Sequence, residues 1–179
     1  RSALVSFVET GTNSELVLAN AKTLREKVYL KGKPRHLILV DLLSASIRRH
    51  VLKCSPWVTL PQFSLLEPNV WREYIVNQRS FRELWPSQLA IGERGIFQGE
   101  SGAIQIPTSG GKTKAVSLII KCAFLSDRAK LAIVVAPFNA LCREIAADLQ
   151  ADFISDTGVT VGVIPDVRNL DTDEIFSVQ

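Results

Sequence analysis

The side chains best suited to chemistry are Lys112 and Thr113, a cation followed by a hydroxyl, placed directly after the twin glycines Gly110 and Gly111. They close the stretch Ile106-Pro107-Thr108-Ser109-Gly110-Gly111-Lys112-Thr113. Glycines there let the backbone turn tightly enough for consecutive N–H groups to face an anion, with Thr108 and Ser109 lining the same turn. Lys112 would neutralise β- and γ-phosphates as a point charge, and the Thr113 hydroxyl would hold Mg2+, so the stretch reads as a triphosphate cradle.

Such a cradle has to be positioned by what flanks it. Residues 102–106 have strand character, and residues 113–125 carry Val116, Ile119, Ile120, Ala123 and Phe124 at helical spacing. Strand, glycine turn and helix therefore follow in the order a P-loop requires, although its usual first glycine is replaced by Ile106. This Pro-Thr-Ser-x-Gly-Lys-Thr loop resembles motif I of superfamily 2 helicases, in particular the DExH, Ski2-like branch, where the opening position need not be glycine.

Two further segments fit the same resemblance. Leu84-Trp85-Pro86-Ser87-Gln88 lies upstream of the loop and looks like the adenine-reading element of these enzymes. The Gln88 amide carries a donor and an acceptor, the complement of adenine N6 and N7. A solvent-facing glutamine on a helix opened by Pro86 is the alternative. Trp71, near where DEAD-box relatives keep an aromatic that packs on the base, reads here as core. Downstream, residues 131–135 form a β-branched apolar run stopped by Pro137, followed by a helical pattern over residues 139–153. Ala-Pro-x-x-Ala-Leu-x-x-Glu is similar to motif Ia, which implies that Pro137, Phe138 and Asn139 line the path of a nucleic-acid strand. Relatives often have arginine where this chain has Asn139, so the phosphate contact would be neutral or pass to Arg143. An ordinary crossover loop would carry the same pattern.

With a third alternating run at 158–164, the element order predicts β-α-β-α-β with parallel strands. The expected fold class is therefore α/β, a partial RecA-like P-loop NTPase domain with a parallel sheet over residues 81–179, preceded by a helical accessory region over 1–80. The Asp-Glu-x-His box of the family appears nowhere, and Asp171-Thr172-Asp173-Glu174 lacks a preceding apolar strand and reads as a solvated loop. The chain also starts at Arg1 without methionine. It is expected to be an N-terminal part truncated before that box, whose parent carries a second RecA-like domain in the same chain, and not to hydrolyse ATP by itself.

The first eighty residues hold a formal charge of +6 and the rest −3. Residues 14–30 and 34–53 read as an αα-hairpin joined at Lys31-Gly32-Lys33-Pro34. Its second helix is apolar around most of its circumference and is expected to be buried by neighbours. Lys31, Lys33 and Arg35 at the turn, and Arg48, Arg49, His50 and Lys53 at the far end, could touch phosphate, or could simply complement a helix dipole. His36 and His50 have no partner at metal-ligand spacing.

With 46% hydrophobic and 22% charged residues the chain reads as a soluble globular protein, the lack of any long apolar run argues against a membrane as partner, and the cysteines suit a cytoplasmic protein. Cys54, Cys122 and Cys142 suit reduced thiols in apolar helices. The resemblance implies the ATP-binding part of a helicase or translocase acting on DNA or RNA. An ATP-gated interaction module without translocation is the alternative, and a small-molecule P-loop kinase would leave Gln88 and the Ia-like turn unexplained.

Overall fold

Four helices begin on a proline, where the missing N–H costs nothing and the fixed φ suits a first turn. In the computed structural model, which describes residues 2–78 and 81–164, α1 is Ser2–Thr10, α2 Ser14–Lys31 and α3 Pro34–Arg49. A π-helical turn at His50–Cys54 leads into α4, Pro56–Ser64, followed by α5, Pro68–Asn77, and α6, Pro86–Glu93. A 3-10 turn at Ile96–Gln98 precedes α7, Lys112–Leu125, and α8 is Asn139–Asp152. These elements fall into two compact units, Arg1–Lys130 and Leu131–Gln179.

Within the first unit, one core gathers Leu60, Trp71, Tyr74, Ile75, Leu84, Ile91 and Phe97 around Ala115, Leu118 and Cys122 of α7. Trp71 is fully buried, as its amphipathic context predicts, and its indole N–H donates to Ser64 Oγ at 3.0 Å. Lys121 is buried on the same helix, with Nζ 5.2 Å from the centre of the Tyr74 ring, an attraction between cation and aromatic face. Beyond the end of α7, Arg128 donates to the Phe97 carbonyl at 2.8 Å and ties the helix back to the 3-10 turn. A smaller core joins Ala3, Phe7, Val17 and Val51, and Trp57 Nε1 reaches the Val8 carbonyl at 3.1 Å to hold α1 against α4. In the second unit Ala146 and Leu149 of α8 and the following Phe153 are buried, and Gln150 Nε2 donates to the Val161 carbonyl at 3.2 Å.

The expected α/β architecture with a parallel sheet is overturned: the described residues contain helices and no strand. Residues 102–106, 131–135 and 158–164 form no ladder, and Ile133 and Val135 stand 77% and 88% exposed. The reason is that helical hydrogen bonds close locally, whereas a strand exists only where a second backbone lies alongside it. β-Branched composition records a fit to a pleated, half-buried surface and does not supply that surface. The acidic stretch Asp171-Thr172-Asp173-Glu174 lies outside the described residues.

The αα-hairpin is present, with a second correction. Arg25 Nε donates to Asp41 at 2.7 Å and the Tyr29 hydroxyl to the same carboxylate at 2.6 Å, which pins α2 to α3. Both bonds favour the ionised carboxylate, so its pKa is lowered, the tyrosine contact contributing most. Yet α3 buries only Val40 and Ser44, while Ile38 and Leu42 are 67% and 62% exposed and Leu39 and Leu43 are exposed beside them. A two-helix pair can cover one seam of a helix and no more. The expected helix over 34–53 also gives way, after Arg49, to the π-helical turn.

Candidate nucleotide-binding site

Pro107 opens the glycine turn, and the Gly110 N–H donates to its carbonyl at 3.0 Å. Ser109 and Gly111 both take the left-handed conformation, at φ 64° and 77°. Left-handed residues set among ordinary ones can turn N–H groups toward one concavity, as in an anion nest, although the Gly110 N–H is taken here by the Pro107 carbonyl. Gly110 has a separate steric reason to be glycine: an added Cβ would overlap Ile106 Cγ2 and stand 2.9 Å from the Pro107 carbonyl oxygen. Ile106, at the position where the loop lacks its first glycine, is half-buried against the larger core, so the chain approaches its own loop from that side.

Gly111 is also the N-cap of α7, and no side chain caps that helix. A fourteen-residue helix thus presents its first-turn N–H groups and the positive end of its dipole beside the turn. Thr108, Ser109 and Lys112 are exposed, Gly110, Gly111 and Thr113 half-buried. A cradle open to solvent, an exposed ammonium and a hydroxyl at the second helical position fit a polyphosphate. Thr113 can offer a magnesium ion one ligand. No group of three histidines, cysteines or acids poised for a metal exists among the described residues.

The upstream glutamine segment meets this turn. Ser87 Oγ donates to the Gly110 carbonyl at 2.7 Å, and Gln88 Nε2 lies 3.1 Å from where a Cβ on Gly111 would be. Gln88 is buried, and its Oε1 accepts the Trp85 N–H at 2.9 Å, closing the first turn of α6. The alternative of a solvent-facing glutamine is corrected: Gln88 starts the helix but is buried, and it stands beside the glycine turn. Oε1 keeps a second lone pair after that bond. Ser87 and Trp85 carried no role in the sequence. The available signal was their position within the same five-residue segment as Gln88.

In the second unit Phe138 is the extended N-cap of α8, 71% exposed, and its carbonyl accepts the Cys142 N–H at 3.0 Å. Pro137, Asn139 and Arg143 are exposed as well. Asn139 and Arg143, four positions apart on α8, share one helix face.

The basic residues of the hairpin are less distinctive. Arg48 and Arg49 occupy the last turn of α3, where a helix dipole favours cations, and Lys31 ends α2. His50 is half-buried against the Phe7 ring, and desolvation pushes its pKa down, with the carboxylate of Glu83 4.0 Å away as a smaller opposing influence. Burial pushes the Cys122 thiol up to about 12. No helix among the described residues is long and apolar enough to cross a membrane.

Residues 85–175 match the DEAD/DEAH box helicase family. Over 70 residues, 39% of this chain, it is 33% identical to the ATP-dependent DNA helicase Hel308 of Pyrococcus abyssi and 34% identical to that of Pyrococcus horikoshii, covering 10% of each. The Thermococcus kodakarensis protein of the same name is 30% identical over the same length, with 6% of it covered. The chain thus spans a tenth or less of the curated relatives it matches. No solved structure matches it.

Proposed function

The chain belongs to the DEAD/DEAH box helicase family, and from that premise we propose that it binds ATP with Mg2+ at the turn before α7, as part of a protein that couples ATP hydrolysis to movement on DNA or RNA. The backbone N–H groups of Thr108, Ser109 and Gly111 would hold the phosphates, Lys112 would neutralise their charge, and Thr113 would ligate the ion. Mg2+, when bound, spreads the negative charge of the β- and γ-phosphates. Gln88 would read the adenine edge, with Nε2 as donor and the second lone pair of Oε1 as acceptor. Pro137, Phe138, Asn139 and Arg143 would contact a strand backbone, a neutral amide and a cation serving phosphate without regard to sequence.

The observation that carries the reading is the Ser87–Gly110 hydrogen bond, which brings a segment 23 residues distant onto the glycine turn at the start of an uncapped helix. Titration of the chain with ATP and Mg2+ tests it against Lys112→Ala. A charge-assisted contact is worth about 1.5–3 kcal/mol, so the variant should bind roughly ten- to a hundredfold more weakly. Equal affinity in both proteins would remove Lys112 from the site. A second reading, in which ATP gates an interaction surface without translocation, draws on the exposed apolar stripe of α3. A full-length parent that hydrolyses ATP but shows no stimulation by any nucleic acid would favour it.

A further inference from the structure

The buried and the exposed apolar residues of α3 occupy opposite sides of the helix. Val40 and Ser44 are buried, and Asp41, the sole acid of α3, is held to α2 by Arg25 and Tyr29. Ile38 and Leu42 are four positions apart, as are Leu39 and Leu43, and all four are exposed, so they form one continuous row on the side away from α2. Contiguous bare hydrocarbon bounded by charge marks an interaction surface.

The ends of the row carry that charge. Arg35 precedes Ile38 by three positions and Leu39 by four, and Arg49 follows Leu42 by seven, so both arginines stand in line with the row. Both are exposed, and among the described residues no ion pair reaches either of them. The one carboxylate of α3 is already engaged on the opposite side.

We propose that this face of α3 docks an acidic amphipathic helix of a partner protein, its apolar residues lying on the row and a carboxylate at each end meeting Arg35 and Arg49. Nucleotide binding at the glycine turn is not required for it. At 1.5 Å per residue the two arginines are about 21 Å apart along the axis, the length of a helix of about four turns. Such a helix presents anchors at i, i+4 and i+7, the spacing that one helix face offers another. Charge decides between this occupant and the others. Two copies of the chain docked α3 on α3 would oppose arginine to arginine at both ends, whether the helices ran parallel or antiparallel, and like charges facing across an interface are unfavourable. A lipid surface calls for a broad apolar face with cations along its flanks, whereas here the cations lie in line with a narrow row and end it.

The probe is a fluorescein-labelled amphipathic peptide of about five turns, with leucines at helical spacing and a glutamate at each end of the leucine row. A second peptide carries lysines in place of those glutamates. Fluorescence anisotropy with the whole chain should show micromolar binding of the glutamate peptide and binding weaker by about tenfold of the lysine peptide. Leu42→Lys should weaken the glutamate peptide by about thirtyfold. Arg35→Glu combined with Arg49→Glu should reverse the preference, so that the lysine peptide binds that variant more tightly, which a merely adhesive surface would not do. All three positions are exposed, so the helical far-UV signal of each variant should match that of the parent. Failure of the glutamate peptide to bind, or equal affinity for the two peptides, would overturn the proposal. A dimer of the parent chain that Leu42→Lys disperses in sedimentation would assign the face to a second copy and overturn it as well. Capture by phosphatidylserine vesicles that Leu42→Lys abolishes, without peptide binding, would assign the face to a membrane and do the same.

Discussion

Ser87→Ala removes a single oxygen, the one that donates to the Gly110 carbonyl at 2.7 Å. The bond is partly buried, and the Gly110 N–H keeps its own partner, the Pro107 carbonyl, so the local turn survives the substitution. What goes is the tie between the start of α6 and the glycine turn. A hydrogen bond of this kind is worth about 1 kcal/mol net. All three tryptophans lie in the first unit, so urea unfolding followed by tryptophan emission reports on that unit alone. With a denaturant slope of about 2 kcal/mol per molar, the midpoint should fall by about 0.5 M. ATP affinity should drop by at most about fivefold, the limit reached if the whole bond serves to hold the loop in its binding geometry. Ser87→Thr, which keeps the hydroxyl, should recover most of both losses. An unchanged midpoint together with unchanged ATP affinity would refute the claim that this bond couples the two segments.

Trp71→Phe deletes a buried N–H···O bond and part of a fully enclosed ring. It should cost about 2 kcal/mol, read as a urea midpoint lower by about 1 M. Cys122, buried and with its thiol held near 12, should ignore a disulfide-exchange reagent at pH 8 in the native protein, and partly exposed Cys142 should react before it and before buried Cys54. Thiol release that is complete before the tryptophan emission shifts would contradict this ordering. His50 has a folded-state pKa below its ordinary value, so the unfolded chain binds its proton first. Its contribution to stability is present above about pH 6.5 and is lost as acid is added through the depressed value. His50→Gln should flatten the urea midpoint across that interval, and an unaltered slope would mean that another group is responsible.

The local parts of the structure were legible in the sequence, because their causes are local. The start of α7 at the glycines, α8 after Pro137 and the Gly32–Pro34 break between α2 and α3 all follow from residues at or next to the boundary. Trp71 was legible as core for the same reason. Residues 131–135 misled because five apolar, mostly β-branched residues state a preference for extended backbone and say nothing about what lies alongside. On α3 the apolar circumference predicted burial, but a pattern on one helix cannot count the neighbours available to cover it. At the site, the motif residues could be read in order, whereas the approach of Ser87 and Trp85 to Gly110 and Gly111 depends on how α6 docks on α7 through Ile91, Ala115 and Leu118. That docking is a property of the packed core and is not written in any five-residue segment.

The uncovered row of Ile38, Leu39, Leu42 and Leu43 sets how the molecule behaves in water when it is warmed. Attraction between bare hydrocarbon patches grows with temperature over the range in which proteins are handled. Gentle heating should therefore cloud a concentrated solution while every helix is still intact, and chilling should clear it. Replacing Leu42 with lysine should postpone the turbidity without moving the urea midpoint, separating colloidal behaviour from the cohesion of the fold.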